Sequence, residues 1–525
     1  MKILITDPVD DSCLAVLSKE GFEVDLKPEI SYDLLRTIIS GYDALIVRSG
    51  TKVSEQVIES ARKLRVIGRA GAGVDNIDVD SATRRGVIVM NTPGGNTVSA
   101  AEHTLSLLFA LARNIPQAHA SVLGGKWERE KFIGVELYGK TVGIIGLGKV
   151  GREVAKRCHA LGMKVVGYDP LLSSDVAMKL HVELLPLDDV YRRSDFLTVH
   201  VPLTPETKGM IGEKEIKLCK VGVRIINCAR GGIVDEDALL KGLESGHVAG
   251  AALDVFSHEP PGQLGLLSHE KVVVTPHLGA STEEAQEKVS VQIAQQVADA
   301  LHERAFTGVV NASALQQGLQ EQIKPYVQLA EKIGSLQAQL MREKLRNITI
   351  TCSGDLLQQS QEILTAAALR GSFSQLLEEP VNYVNAQVIA KEMGVVVNER
   401  READVKNFLN LLTVEYEAGE EKRSISGTVF GPANLRIVKI DDFYLEVKPE
   451  GHLLFYSNID RPGMLASVGS VLAKAHINIA GVSLGRIHAG KNAVTIMGVD
   501  SDIPDPVLRE IMQLDGVFDS KVVHL

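Results

Sequence analysis

The sequence predicts an α/β chain in which two doubly wound parallel sheets are followed by an α+β domain and a terminal βαββαβ unit. Short apolar runs alternate with amphipathic stretches over the first 96 residues, and a glycine-rich turn separates two further apolar runs near Gly146. From Leu453 the pattern runs strand, helix, strand, strand, helix, strand. Alternation of the first kind is typical of parallel sheets with helices on both faces. A chain of 525 residues also exceeds what one core holds, so several domains are expected.

Composition excludes several classes of protein. Hydrophobic residues make up 45% and charged residues 23% of the chain, which is ordinary for globular proteins. The net charge of −10 argues against a nucleic-acid surface. There is no apolar run of about 18 residues and no apolar signal region, so we expect no membrane partner. The five cysteines are scattered without metal spacing, which predicts a reducing, cytoplasmic location and no metal site.

The first domain offers two arginines at predicted strand ends. Arg48 follows the run ALIV and precedes Ser49, and Arg69 enters the glycine-rich turn that contains Gly73 and Val74. Guanidinium groups and free turn amides both bind anions. Two solvated arginines are the alternative that position alone allows, and the turn favours the anion site.

Two long helical patterns predict a hinge between domains. Ser99 with Glu102, and Ser281 with Glu284, each have the spacing of a capping box ahead of an apolar helix. The similarity of the two segments suggests paired crossings, so that the first domain is discontinuous and the second is inserted into it. The predicted bounds are 1–98 plus 285–307 for the first domain and 99–284 for the inserted one, with the cleft between them.

The inserted domain carries the pattern of a dinucleotide site. Gly146, Gly148 and Gly151 form GxGxxG after an apolar strand, with Lys149 and Val150 inside the turn. The glycines permit a tight turn, close approach of a pyrophosphate and close packing of helix on strand, as in Rossmann domains. The next strand ends in Asp169, whose carboxylate can accept bonds from ribose hydroxyls and repels a 2′-phosphate. The pattern therefore predicts NAD rather than NADP.

Three further strands of the inserted domain end in reactive side chains. Arg230 precedes two glycines, Glu259 is followed by two prolines, and His277 follows Thr275 and Pro276. Since parallel strands end at one edge of a sheet, a guanidinium, a carboxylate and an imidazole are expected beside the glycine turn. His277 alone would suit a structural role, but this combination favours an acid/base function.

These segments resemble a known enzyme family. GxGxxG with Asp169, NCARGGIVDEDAL, ALDVFSHEPP and TPHLGAST are similar to the D-isomer-specific 2-hydroxyacid dehydrogenases over roughly residues 1–307. VRSGTKV, GRAGAGVDN and NTPGGNTVSAAEH resemble its members that act on phosphoglycerate. The resemblance implies NAD-dependent oxidation of D-3-phosphoglycerate to 3-phosphohydroxypyruvate, the entry step to serine. Arg230 would then orient the substrate carboxylate and 2-oxygen, His277 would be the acid/base, and Glu259 would hold and tune His277.

The resemblance also implies a wider set of contacts and a homo-oligomer, either dimer or tetramer. Arg48, Ser49, Arg69, Gly73 and Val74 would bind substrate. The cofactor would contact the glycine turn and Asp169 together with Cys228, Ala229, Arg230, Asp254, His277, Gly279 and Ala280. Two alternatives stay open: a glyoxylate or hydroxypyruvate reductase, which needs no phosphate site, and a non-catalytic NAD-sensing regulatory protein. The two arginines argue against the first, and the intact trio at the strand ends argues against the second.

The rest of the chain resembles regulatory domains. Residues 308–449 look like the intervening α+β domain of long-form phosphoglycerate dehydrogenases. Residues 451–525 resemble an ACT domain, with IDRPGML and HINIAG as the signature. The resemblance implies an amino-acid effector, L-serine, at Asn458, Asp460 and Asn478. A module that only pairs sheets between subunits is the alternative.

Overall fold

A computed structural model of the chain describes residues 1–317, 320–403 and 407–525, with the side chains of 316 and 317 excluded. It contains two parallel sheets, a mixed sheet and a terminal antiparallel sheet, which confirms the predicted fold class.

The first sheet has five parallel strands in the order β2-β1-β3-β4-β5. Its central strand β3 is buried along its whole length, as its uninterrupted apolar sequence predicts. The elements are β1 (Lys2–Ile5), α1 (Asp11–Lys19), β2 (Glu23–Leu26), α2 (Tyr32–Ile38), β3 (Ala44–Val47), α3 (Glu55–Ser60), β4 (Val66–Arg69), α4 (Val79–Arg84) and β5 (Ile88–Asn91).

The second sheet has seven parallel strands in the order β12-β11-β10-β9-β6-β7-β8. Chain order reverses between β6 and β9, and such a switch point opens a crevice at the carboxyl ends of the strands. The elements are α5 (Thr97–Arg113), α6 (Ile115–Leu123), β6 (Thr141–Ile145), α7 (Lys149–Ala160), β7 (Lys164–Tyr168), α8 (Ser174–Lys179), β8 (Glu183–Leu184), α9 (Leu187–Arg193), β9 (Phe196–Val199), α10 (Glu213–Leu218), β10 (Val223–Asn227), α11 (Glu236–Glu244), β11 (Val248–Leu253) and β12 (Val272–Val274).

Helix α12 (Glu283–Leu301) returns the chain to the first sheet. It packs on α1 and β4, and a Cβ on Gly68 of β4 would lie 2.6 Å from the side chain of Val297. Helix α5 packs instead on α7, β10 and β11 of the second sheet. Helix α12 therefore packs on the first sheet and α5 on the second. The predicted domain boundaries at residues 98 and 285 stay a prediction.

The predicted capping boxes of these two helices are wrong. The N-cap of α12 is Thr282, whose hydroxyl accepts from the amide of Ala285, and α5 begins at Thr97, ahead of Ser99. The Ser99 hydroxyl hydrogen-bonds to the Thr282 hydroxyl at 2.8 Å. Ser99 therefore bonds to the residue that caps α12 and not to the backbone at the start of its own helix. A local sequence pattern does not reveal such a contact.

The third region is a mixed sheet, ordered β14-β13-β15-β16-β17-β18 in its described part, with two long helices on it. Those helices are in close contact, because a Cβ on Gly334 would overlap the carbonyl oxygen of Ala368. The elements are α13 (Ser313–Gln317), α14 (Lys324–Leu340), β13 (Leu345–Ser353), α15 (Asp355–Gln358), α16 (Gln361–Leu376), α17 (Ala386–Glu392), β14 (Val396–Glu402), β15 (Leu411–Ala418), β16 (Glu421–Phe430), β17 (Asn434–Ile440) and β18 (Phe443–Val447).

The terminal unit is antiparallel, in the order β20-β21-β19-β22, and has the predicted βαββαβ sequence of elements. The elements are β19 (His452–Ile459), α18 (Met464–Lys474), β20 (Ile479–Arg486), β21 (Asn492–Val499), α19 (Asp505–Met512) and β22 (Val517–His524). Across the described ranges, we find no helix with the length and apolarity needed to traverse a bilayer.

Lys521 of β22 attaches this terminal unit to the third region. Its ammonium donates to the carbonyl oxygens of Gln339, Leu340 and Met341 at the end of α14, at 3.4, 2.8 and 3.1 Å. Carbonyls at a helix C-terminus lack intrahelical donors, so a cation there is favourable. Burial lowers the pKa of Lys521, and the nearby Arg342 lowers it further. The three bonds from Lys521 join the terminal unit to the end of α14.

Candidate active site

The three glycines of the turn between β6 and α7 differ in their surroundings. Gly146 has φ +91°, and a Cβ there would lie 2.6 Å from the His200 carbonyl oxygen, whereas a Cβ on Gly151 would overlap the carbonyl oxygen of Gly146. At Gly148 a Cβ would have no atom of the described chain within 4 Å. The first and third glycines thus allow the fold, and the second leaves open space at the start of α7, where an anion is stabilised by free amides.

Asp169 lies beside this turn at the end of β7. Its carboxylate accepts from the amide of Leu147 at 2.8 Å and from the amide of Leu171 at 2.9 Å. Lys149 of the turn donates to the carbonyl of Pro93, and Val150 packs into the core behind it. The predicted ribose acceptor is therefore next to the predicted phosphate position.

His277 and Glu259, which the sequence predicts as an acid/base pair, are in direct contact. His277 Nδ1 is 2.8 Å from Glu259 Oε2, and both side chains are about two-fifths exposed, at 41% and 39%. The other carboxylate oxygen of Glu259 accepts from the amide of Phe256. This arrangement fixes the imidazole through Nδ1 and leaves Nε2 as the nitrogen that can exchange a proton with a ligand in the cleft.

Asp254 holds the loop that carries His277. Its side chain is 1% exposed and accepts from the amides of Leu278 (2.7 Å) and Gly279 (2.9 Å), while its carbonyl accepts from the amide of His277 (2.9 Å).

Two side chains complete the surroundings of the Asp254 carboxylate. His103 Nε2 lies 3.1 Å away, and the Thr275 hydroxyl donates at 2.5 Å. Burial opposes ionisation of Asp254, but the bonds from His103, Thr275 and Leu278 outweigh it and lower its pKa. The sequence prediction placed Asp254 against the cofactor and missed His103, which lies on α5, and Thr275, which follows β12; neither has a sequence signal beyond a polar side chain.

Arg230 reaches across the cleft to the first domain. Its Nε donates to Asp75 Oδ2 at 2.9 Å, and its Nη1 donates to the carbonyl of Ala229 at 2.7 Å. A Cβ on Gly73 would overlap Arg230 Nη2, so that glycine permits the approach. Sequence reasoning missed Asp75, although it stands in the turn that also contains Gly73.

Arg48 and Arg69 converge on the same side of the cleft as Arg230. The side chain of Asn76 links them: Nδ2 donates to the carbonyls of Arg48 (2.7 Å) and Thr51 (2.6 Å), and Oδ1 accepts from Arg69 Nε (3.0 Å). Burial lowers the pKa of Arg69, and the positive charges of Arg230 and Arg48 add to this. Three guanidinium groups this close favour binding of an anion with more than one negative group.

A buried carboxylate supports the strand end that carries Arg48. Asp7 accepts from the amides of Arg48 and Thr51 and from the hydroxyl of Thr51. Ser49 is exposed beside it. Val74, in the turn after β4, packs against the hydrophobic core of the first domain. Asp7 and Asn76 were not predicted, because their roles depend on strands and turns that are distant in sequence.

The remaining predicted cofactor residues lie at the ends of β10 and in the His277 loop. Burial raises the pKa of Cys228 to about 12, so its thiol stays protonated at neutral pH. Ala229 and Ala280 are half-buried, and Gly279 is buried against Asp254. Their contacts with a cofactor stay predictions.

The three predicted effector residues each have a partner within the terminal unit. Asn458 is only 2% exposed in β19 and bonds to the Ile459 carbonyl and the Thr495 hydroxyl. Asp460 pairs with Arg486 at 3.0 Å, and Asn478 donates to Asp500 at 2.6 Å. Asn458 is therefore buried, whereas Asp460 and Asn478 lie nearer the surface. An effector role for any of the three stays a prediction.

Comparison with known proteins gives matches along most of the chain. The profile of the D-isomer specific 2-hydroxyacid dehydrogenase NAD binding domain matches residues 105–279. Those of the D-3-phosphoglycerate dehydrogenase intervening domain and of the ACT domain match residues 322–441 and 452–516.

Similar whole proteins are found in distant organisms. D-3-phosphoglycerate dehydrogenase from Synechocystis sp. is 41% identical over all of this chain and 95% of its own length. The protein of that name from Archaeoglobus fulgidus is 42% identical over the full length of both. The crystal structure of NAD-dependent formate dehydrogenase from Staphylococcus aureus in complex with NAD is 28% identical with a TM-score of 0.55, covering 59% of this chain and 99% of that one.

Gly148 provides a test of the dinucleotide position. We expect Gly148→Ala to weaken NAD binding by at least about tenfold, because the new methyl group enters the space left for the pyrophosphate. The thermal midpoint should stay unchanged, since no atom in the described ranges lies within 4 Å of that Cβ. Calorimetric titration with NAD measures the first quantity and differential scanning calorimetry the second. Gly41→Ala, whose Cβ is equally unobstructed by described atoms, should alter neither. Unchanged NAD affinity in Gly148→Ala would move the pyrophosphate elsewhere.

Proposed function

The chain belongs to the D-3-phosphoglycerate dehydrogenases of the D-isomer-specific 2-hydroxyacid dehydrogenase family, and we propose that the cleft around His277 and Arg230 carries out the reaction. The protein oxidises D-3-phosphoglycerate to 3-phosphohydroxypyruvate with NAD, the entry step to serine. The observation that supports this choice of residues is the 2.8 Å pair of His277 and Glu259 at the sheet edge from which Arg230 also projects. Turnover with NAD and 3-phosphoglycerate, compared with glycerate and with glyoxylate plus NADH, tests the assignment.

The glycine turn fits the cofactor. Open space at Gly148, the start of α7 and the carboxylate of Asp169 provide positions for a pyrophosphate and a ribose. NAD, when bound, accepts the hydride that leaves C2 of the substrate. The protein must then position C2, remove the hydroxyl proton and hold both anionic ends of the substrate.

His277 is placed to take that proton. Nδ1 is engaged by Glu259, so Nε2 accepts the proton of the C2 hydroxyl, and the carboxylate of Glu259 stabilises the imidazolium that forms. Asp254 contributes indirectly by fixing the backbone on both sides of His277. A proton acceptor fixed in this way contributes about 10² to 10⁴ in rate.

Arg230 is suited to the substrate carboxylate. A guanidinium can form two parallel bonds to a planar carboxylate, which fixes the face of C2 that meets the cofactor. Asp75 neutralises part of the charge of Arg230 through its bond with Nε. Asp75 must release Nε if the substrate carboxylate is to accept from Nε and a terminal nitrogen of the guanidinium together. Arg69 and Arg48, with Ser49 and the turn at Gly73 and Val74, are then left for the phosphate.

Replacement of His277 tests the proton transfer. We expect His277→Ala to lower kcat by at least about 100-fold while the Kd for NAD changes little, because the ring acts on the hydroxyl proton. Glu259→Gln should lower kcat by a smaller factor, since an amide keeps a polar contact with Nδ1 but lacks the charge. Steady-state kinetics and NAD titration give both values, and the exposed His258→Ala is the control. Full turnover in His277→Ala would assign the proton transfer to another group.

Replacement of the half-buried Arg69 tests the phosphate position. We expect Arg69→Ala to raise KM for 3-phosphoglycerate by at least about tenfold more than KM for glycerate, because glycerate lacks the phosphate. Asn76→Ala should show part of the same difference, since it removes the contact that orients Arg69. Equal increases for the two substrates would show that Arg69 does not contact the phosphate. Thermal midpoints of both variants separate binding from a loss of folding.

We further propose that the terminal unit binds L-serine near Asp460 and lowers activity from there. An ammonium group requires a carboxylate partner, and Asp460 lies in the loop after β19 beside Arg486, which is suited to an amino-acid carboxylate. Serine should inhibit the full-length enzyme, and Asp460→Asn should raise the inhibitory concentration at least about tenfold. Glycine and phenylalanine serve as comparisons in the same inhibition assay and in calorimetry. If serine neither binds nor inhibits, the unit serves assembly only.

A homo-oligomer is proposed from the surface that follows α5. The segment 115–138 exposes Leu123, Trp127, Ile133 and Tyr138 by 76 to 80% each. Apolar side chains grouped this way mark a protein interface, and a second copy of the chain would cover them; sedimentation equilibrium measures this. A cytoplasmic location also stays a prediction.

A further inference from the structure

A cavity of about 800 Å³ lies between the first sheet domain and the third region, away from the cleft. One wall comes from the segment before β4, the segment between α4 and β5, and the end of α12. The other comes from the starts of α13 and α14, from α16, and from residues 379–385. Its size is that of pockets which hold small organic ligands.

The two walls are joined by specific contacts at one edge. Asn382 Nδ2 donates to the carbonyl of Gly86 at 2.8 Å, and Asn385 Nδ2 donates to the carbonyl of Arg84. Gly86 has φ +70°, and an added Cβ would overlap the Asn382 amide. A glycine is therefore required for this approach, which distinguishes the junction from loose contact between two domains.

Basic residues line both walls, together with the carboxylates of Glu303 and Glu379. Arg84, Arg65, Lys324 and Arg370 line the cavity but have carboxylate partners in Glu55, Glu303, Glu321 and Glu331. Arg62, Lys63 and Arg85 line it too, and none of the three has an ion pair in the part of the chain that the structure describes. These three residues give the first wall an excess of positive charge, which a bound anion would balance.

Apolar side chains form the rest of the lining. Ile88 and Phe306 line the first wall and Tyr383 lines the second, and all three are only half-buried. An inorganic anion would leave this surface without a partner. We propose that the cavity binds an organic anion whose phosphate or carboxylate contacts Arg62, Lys63 and Arg85 and whose apolar or aromatic body packs on these side chains.

The position of the cavity gives such a ligand a route to the cleft. Strand β4 begins with Val66, which lines the cavity, and ends with Arg69, one of the three arginines in the cleft. Helix α14 begins at the cavity with Lys324 and ends at the carbonyls held by Lys521 of the terminal unit. A ligand that binds one arrangement of these elements better than another shifts the protein towards it. Where substrate also distinguishes the arrangements, ligand and substrate change each other's affinity by the same factor.

The test uses the full-length protein with saturating NAD, so that the dinucleotide site is filled. The probe is 8-anilinonaphthalene-1-sulfonate, an aromatic anion whose fluorescence rises on binding, and adenosine monophosphate and inorganic phosphate are competitors. We expect the probe to bind, and AMP to displace it at concentrations at least about tenfold below those of inorganic phosphate. No binding, or equal displacement by the two competitors, would overturn the proposal.

Variants locate the site. The double charge reversal Arg62→Glu with Arg85→Glu should weaken probe binding by at least about tenfold, while Arg346→Glu, a single charge reversal of the same kind at an exposed β13 position outside the cavity, should have no effect. Arg62→Gln with Arg85→Gln gives the same test if the reversal impairs folding, which the thermal midpoint detects. Unchanged affinity in a folded double variant would overturn the proposal. Because binding is measured without turnover, either result leaves the catalytic assignment of His277 and Arg230 unaffected.

Discussion

The buried carboxylate of Asp254 is the constraint on which the catalytic edge depends. A charged group that is 1% exposed would be costly without partners, and here it has four: two loop amides, the Thr275 hydroxyl and the His103 ring. Those bonds determine the path of the chain after β12 and therefore the position of His277. Since His103 belongs to α5, the same carboxylate also joins that loop to the crossing helix, next to the hydroxyl contact between Ser99 and Thr282.

A second constraint is the excess of positive charge in the cleft. Arg230, Arg69 and Arg48 approach one another closely enough for their charges to affect the pKa of Arg69. Asp75 pairs with Arg230, and the amide of Asn76 engages Arg69 without adding charge. A ligand with a carboxylate and a phosphate would supply the missing negative charge, and relief of the repulsion among the guanidinium groups would then contribute to its binding energy.

The residues that sequence reasoning placed correctly are those governed by short-range rules. Strand ends in a parallel sheet share an edge, and this was enough to bring Arg230, Glu259 and His277 together near the glycine turn. The capping boxes failed because Ser99 has a partner 183 positions away, which local spacing does not contain. Asp7, Asp75 and Asn76 were missed for the same reason. Asn458 was assigned by its place in a motif, and its burial within β19 is a feature that the motif alone does not reveal.

Helix α14 is the structural link between the terminal unit and the domain that forms one side of the cleft. Its 17 residues span about 25 Å, from the cavity wall to the terminal sheet. Its close contact with α16 at Gly334 and Gly371 leaves no space for sliding, because a Cβ at either glycine would overlap backbone of the other helix. A shift at Lys521 is therefore transmitted to the helix pair as one body. The pair continues into the segment with Asn382 that is joined to Gly86, and Gly86 leads directly into β5, the neighbour of β4 and Arg69. The terminal unit and the strand that ends in Arg69 are thus joined by one continuous series of contacts.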